Sequence, residues 1–453
     1  MRLLMFAVPL ALIATATSAY AGPKLTLEEA LQKALVGPKA RMAESDRETA
    51  EGKLSEADAA RYPKIKITGF ITPSPEIHCH AATVDGVAVV GDECASTTPQ
   101  DYSFNFSGAF GGGQIDVTQP LWTFGKIDHA RKAARAGVAA QEALASEAAG
   151  DIAVDTAKAY WGAKVARELG YMLDDGIEQI QNAITKMDGD DGKDVSIPDR
   201  QRVKVLLAQA KVQRADAKVA EEQALAGLRA LVGVPDADID DSEYAAVTRA
   251  VPATASPDRR PQTAAAKAGA AAADELLAMQ SAYYWPDFAL VGSGLVYGAQ
   301  GADNPPSVFA NDPYNRRGAG LVLALQWTVE PWTVHAKVKR AQAEAAKAHA
   351  QAALAVAGAS YDAQSARAEA DGAFQKVSAA AEGEQAARAW LASILQADAI
   401  GAAEPKDFAD AYIAWFQMRA VWAQAVFQWN VGVVRLDRAT GEFTAGSYRP
   451  SVK

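Results

Sequence analysis

No proline occurs between Pro120 and Pro198, or between Pro331 and Pro405. Proline lacks a backbone N–H and clashes with the preceding turn, so it normally punctuates helices. Each gap therefore admits a very long one. About 60 uninterrupted residues would extend about 90 Å at ~1.5 Å per residue, several times the mean globular helix. These stretches are alanine-rich, as at Ala139-Ala140 and Ala352-Ala353, and too poor in large apolar residues for an ordinary core. Small residues let helix axes approach closely. They suit a hollow cylinder of helices one wall thick, with alanine seams between neighbours and water on both sides. The alternative is a rod-like coiled coil. Regular Leu or Ile at a and d, which a rod needs, is missing.

The first residues read as a secretory signal: Arg2 supplies charge, Leu3 to Ile13 an apolar run, and Ala19-Tyr20-Ala21 a small-residue cleavage site. Residues 1–21 are expected to be removed. No later run reaches ~18 apolar residues, so any membrane crossing must be a closed β-barrel. A formal charge of -10 argues against nucleic acid, whose phosphates need a basic surface. Cys79 and Cys94 are the two cysteines. In an exported chain they are expected to form a disulfide worth ~3 kcal/mol in the chain-entropy model. A zinc site from His78, Cys79, His80 and Cys94 is the less favoured reading.

Along the chain, Thr26 and Glu29 form a capping box that opens a helix running to about Arg61. Lys64 to Ile71 alternates with period two and reads as a strand. Thr72 to Pro99 reads as a loop, and strand resumes from Tyr102 to Val117, ending at Gln119-Pro120-Leu121-Trp122. Gly111-Gly112-Gly113 lacks the Gly-Lys-Ser/Thr of a phosphate loop, so these glycines fit a bend or close approach within a strand. The long helix runs to about Met187. Ser196 then caps a second helix ending at Gly233. Residues 235–261 form a connector with four prolines. The pattern then returns: helix 262–283, strand 287–297, loop, strand 320–328, long helix 332–399 and a last helix 405–435. The spacing agrees, since 80 positions separate Gln119 from Asp199 and 81 separate Gln326 from Asp407. The organisation is thus a first repeat (22–234), a connector (235–261), a second repeat (262–440) and an unstructured tail (441–453).

Four strands cannot close a barrel, because the smallest need about eight. Several chains must share one. With Tyr62-Pro63-Lys64-Ile65, Gln119 to Lys126, Trp285-Pro286-Asp287-Phe288 and Asp407-Phe408-Ala409-Asp410-Ala411 in this order, the chain resembles the TolC-type outer-membrane efflux channels over essentially its whole mature length. The resemblance implies an α+β membrane protein: a homotrimer sharing a twelve-stranded β-barrel, four strands per chain, continued by a long periplasmic α-helical barrel. It implies docking to a periplasmic adaptor (membrane fusion) protein and an inner-membrane pump.

The resemblance also assigns residues. Asp407 and Asp410 would ring the periplasmic entrance and select cations; stabilisation of a helix N-terminus is their plainer reading. Asp199 matches a position that helps hold the entrance shut. Where the family's best-known member has an arginine before the second acid pair, this chain has Ala403. Either that lock is absent or Arg200 or Arg202 takes part instead. Trp122, Trp285, Trp327 and Trp332 at strand ends fit a membrane-interface girdle. Lys126, Arg131, Lys132, Arg135, Lys337, Lys339 and Arg340 crowd the starts of the long helices, against the macrodipole. Outer-membrane lipid headgroups would compensate them; a solvated helix face is the alternative. Trp415, Phe416, Trp422, Phe427 and Trp429 at helical spacing fit wall packing rather than a ligand. His129 and His335 have no assigned chemistry.

No motif gathers nucleophile, base and oxyanion donors, so no enzyme and no cofactor are expected. The reading is a passive exit channel in the cell outer membrane, serving tripartite efflux or type I secretion. The alternative is a non-conducting trimeric structural or adhesive protein.

Overall fold

A computed structural model describes residues 22–79, 83–84, 87–88, 100–188, 196–248, 259–302, 314–399 and 405–443. The expected signal segment, Cys94 and Ala403 lie outside them, as does the side chain of Cys79. In chain order the elements are β1 (Lys24–Leu25), α1 (Leu27–Ala34), α2 (Pro38–Ala59), β2 (Lys64–Cys79), β3 (Thr83–Val84), β4 (Val87–Ala88), β5 (Gln100–Trp122), α3 (Lys126–Asp188), α4 (Ile197–Val232), β6 (Asp238–Ile239), α5 (Pro261–Ala282), β7 (Asp287–Ala299), β8 (Arg317–Gln326), α6 (Pro331–Ala399) and α7 (Pro405–Thr440). The two proline-free stretches are continuous helices of 63 and 69 residues. Among the described residues, no helix is long and apolar enough to cross a membrane.

Residues cluster into two compact units. One comprises 1–47, 142–265 and 353–453, the other 48–141 and 266–352. In the first, Thr26 Oγ1 accepts from Glu29 N at 3.3 Å while Glu29 Oε2 accepts from Thr26 N at 2.9 Å, which forms the capping box. The helix does not run on to Arg61. It breaks at Val36-Gly37, because Pro38 cannot donate into the preceding turn, and restarts as α2. Ser196 caps α4, and Gly233 ends it at φ 72, a left-handed conformation that suits glycine.

The first unit's main core gathers α1, α3, α4, α7 and a parallel pair of β1 with β6. The pair's β1 half lies at the start of the first repeat and its β6 half inside the stretch read as connector, and a strand that short has no period to read. Asn430 holds the same stretch on α7: its Nδ2 donates to Ala245 O and its Oδ1 accepts from Val247 N, both at 2.9 Å. The last helix extends beyond Arg435 to Thr440, and Phe443 is buried in the main core. That part of the expected tail is therefore packed. Trp429 is fully buried, with its ring 5.3 Å from Phe374, so it packs α7 against α6 rather than facing a ligand.

Helix α4 carries two apolar stripes on opposite sides. Val203, Leu206 and Ala210 face inward, whereas Val205, Val212 and Val219 repeat every seventh residue and are 56%, 62% and 52% exposed.

In the second unit, β2, β5, β7 and β8 form one antiparallel sheet in that order. Strand β2 runs past Thr72, where a loop was expected. Its register shifts between Pro73 and Pro75. An irregular position on an edge strand tolerates prolines that would break a central strand.

Candidate functional site

The sheet's register sorts residues by chemistry. In an antiparallel pair, residues directly opposite one another share a face. Ile65 pairs with Val117 and Ile67 with Ile115; Val117 then meets Gly292 and Ile115 meets Gly294; Leu290 pairs with Leu323 and Gly292 with Leu321. One face is thus apolar across all four strands, and it is uncovered: Ile67 is 73% and Leu321 72% exposed. The other face is mixed: it carries Lys64, Lys66 and Thr68 on β2, Gln114 and Asp116 on β5, and Ser293 and Tyr297 on β7, together with Val291 and Leu295 on β7 and Val322 on β8. There, Tyr297 Oη donates to Gln114 Oε1 at 3.0 Å, and Gln114 Nε2 donates to Asp116 Oδ1 at 2.8 Å.

Gly112 lies between Phe70 and Tyr297 in the register. A Cβ there would stand 2.3 Å from the Tyr297 ring. The missing side chain lets Phe70 and Tyr297 meet edge to face at 5.3 Å across β5. Gly112 therefore serves close approach, one of the two roles its sequence context suggested.

At the strand–helix junction, Phe124 and Gly125 both have positive φ, 50 and 92. The Phe124 ring stacks on Trp285 at 5.6 Å, which helps hold a conformation uncommon for a bulky residue. Trp122, Trp285, Trp327 and Trp332 are all exposed. The basic residues at this level are not left to an external anion alone. Lys126 Nζ donates to Asp287 Oδ1 at 2.8 Å and to Trp285 O at 2.9 Å, and Arg131 Nε to Asp58 Oδ1 at 2.5 Å. Acids on neighbouring elements offset the macrodipole conflict for these two. His129 Nδ1 lies 2.6 Å from Glu275 Oε2, a partner that short-range sequence reading could not supply.

In the first unit, the starts of α4 and α7 each carry an aspartate in the first turn, Asp199 and Asp407. Asp199 N donates to Ser196 Oγ, and Ser196 Oγ donates to Asp199 Oδ2 at 2.5 Å, so this acid serves its own cap. Arg200 Nη1 turns to Asp188 Oδ1 at 3.1 Å, within the same hairpin. Arg202 Nη2 reaches Asp410 Oδ1 at 3.2 Å and joins α4 to α7. Behind them, Tyr412 Oη would lie 1.6 Å from a Cβ on Gly176, so only glycine admits the tyrosine there. Burial, with Asp175 nearby, pushes this phenol up to about 12.

A buried charge cluster went unread. Arg260 is 2% exposed and donates to Glu147 Oε1 at 3.0 Å; Asp362 lies 2.7 Å away. Arg438 shares both acids at 2.8 and 3.4 Å. Its members come from four distant stretches, so no local motif could reveal it. The Cys79–Cys94 pairing lies outside the described side chains. Among the described residues no cluster of His, Cys, Asp or Glu could hold a metal.

No protein-family model matches the sequence, and no curated protein sequence matches it. Solved structures do. The CmeC outer membrane channel of Campylobacter jejuni superposes with TM-score 0.76 at 14% identity, covering 93% of this chain and 87% of that one. The outer membrane protein VceC of Vibrio cholerae gives 0.72 at 16%, covering 92% and 96%. The open-state MtrE outer membrane channel of Neisseria gonorrhoeae gives 0.71 at 17%, covering 92% and 88%. At such identities the likeness is one of fold. The chain has the fold of the TolC-like outer-membrane efflux channels.

Proposed function

We propose that this chain is the outer-membrane exit channel of a tripartite efflux or type I secretion machine, and that it passes solutes outward without chemistry of its own. The observation that carries this is the four-stranded sheet. Its apolar face is uncovered, its opposite face carries the charged and polar side chains of β2 and β5, and among the described residues the outer edges of β2 and β8 pair with no strand. An uncovered apolar face fits lipid, a polar face fits water, and open edges call for further strands. Three copies edge to edge would give a twelve-stranded barrel. The order helix, two strands, long helix, shorter helix occurs at 38–232 and again at 261–440, which supports a duplicated chain with repeats at 22–234 and 262–440. The alanine-rich long helices would then build the periplasmic barrel, and their tips would meet the adaptor and the pump.

Asp199, Arg200, Arg202, Asp407 and Asp410 would form the periplasmic gate. The Arg202–Asp410 pair is the internal link that could hold it shut, with no arginine at position 403. The four exposed tryptophans would sit at the membrane interface, and Lys132, Arg135, Lys337 and Lys339 would meet lipid headgroups. Purified protein in planar bilayers tests the reading. Stepwise conductance from a species whose native mass is three chains is expected. An inserted trimer that never conducts, or a soluble monomer, would overturn it.

A further inference from the structure

The sheet's polar face carries charge that the tip residues do not account for. Lys64 and Lys66 are alternate residues of β2, so both lie on the polar face while Ile65 lies on the apolar one. Both lysines are exposed. The cross-strand partner of Lys66 is Asp116; that carboxylate accepts from the neutral Gln114 Nε2 at 2.8 and 3.0 Å and keeps its negative charge, which offsets one of the two lysines. The other acid of this face, Asp287, is taken by Lys126 at 2.8 Å. Lys64 stands opposite a neutral residue, Thr118. Among the described residues, neither Lys64 nor Lys66 has an ion-pair partner. Arg316, hydrogen-bonded through its backbone to Tyr297, adds a further positive charge towards the far end.

We propose that Lys64 and Lys66 make this face a selectivity element for anionic solutes bearing carboxylate, sulfate or phosphate groups. The inference rests on the reading that the polar face lines a water-filled conduit. In three copies the lysines would form two stacked rings of ammonium groups. Such rings, with low-dielectric walls behind them, raise the local concentration of anions. Their sign opposes that of the tip aspartates, so the conduit has two filters of opposite preference in series.

Reversal potentials across a KCl gradient test this with the full-length protein in planar bilayers. In the Lys64→Gln/Lys66→Gln variant, chloride permeability relative to potassium should fall, by up to about tenfold at low salt. The change should shrink in about 1 M salt, where the Debye length is only ~3 Å. Lys64→Arg/Lys66→Arg, which keeps the charge, should keep the wild-type ratio. Single Lys66→Gln gives the same readout at smaller amplitude should the double variant fail to insert. An unchanged ratio at low salt in a conducting glutamine variant overturns the proposal and leaves the conduit standing. Absence of conductance in the wild type overturns both.

Discussion

Arg202 of α4 and Asp410 of α7 meet at 3.2 Å, the contact that ties the first helix tip to the second. Both side chains are about half exposed, so the pair contributes only ~0.2–1 kcal/mol. A weak link would suit the proposed gate, which must open. Arg202→Ala should leave thermal stability nearly unchanged and raise the open fraction in single-channel records. Asp407→Asn with Asp410→Asn should lower potassium-over-chloride selectivity without abolishing conductance. Unchanged selectivity would remove these acids from the gate.

The cluster around Arg260 behaves differently because it is buried. Removing one partner leaves an uncompensated charge, at a cost of ~3–5 kcal/mol. Glu147→Ala should therefore destabilise the chain strongly in denaturant titration. Arg260→Met should cost less, because Arg438 still pairs with Glu147 and Asp362. Equal losses would mean that the cluster is not the source of the effect.

The exposed valine row on α4 should pack against a neighbouring copy. Burying a valine is worth ~1.5–3 kcal/mol, so Val212→Asp should reduce the trimer fraction about tenfold or more. Helix content should persist, since the residue touches no core of its own chain. Crosslinked species resolved by mass provide the measurement.

Asp240 gives the helical unit an acid limit. Burial raises its pKa, but hydrogen bonds from Tyr160, Ser242 and Lys164 outweigh this and hold the carboxyl below its usual range. A depressed folded-state pKa contributes stability above the unfolded value of ~3.9, and that contribution is lost as pH falls through the folded value. Wild-type helix content should therefore become less resistant to urea as pH drops below ~4. Asp240→Asn should be less stable at neutral pH and should show a flatter acid dependence.

The long helices, the Thr26 and Ser196 caps, the Gly233 stop and the existence of paired strands could all be read from sequence, because each rests on local rules. Proline absence spoke for α3 and α6, and alternation spoke for Lys64 to Ile71. Proline misled at Pro73 and Pro75, where an irregular edge strand absorbs it. Gly37-Pro38 was passed over inside a segment that otherwise reads as helix. The parallel pair of β1 with β6, the Arg260 cluster and the His129–Glu275 contact were invisible because each joins residues far apart in sequence. The polar and apolar faces of the sheet were half visible: each strand's alternation could be read, but only the register aligned the faces across β2, β5, β7 and β8.

Among the described residues the outer edges of β2 and β8 pair with no strand, and this sets a kinetic condition on how such a chain matures. Backbone donors and acceptors along both borders can recruit any extended peptide they encounter, so a lone copy is vulnerable to clumping. In the proposed trimer, docking with siblings must outrun that side reaction. Yield should then depend on synthesis rate and on escorts that mask the borders in transit, more than on the intrinsic robustness of a single copy.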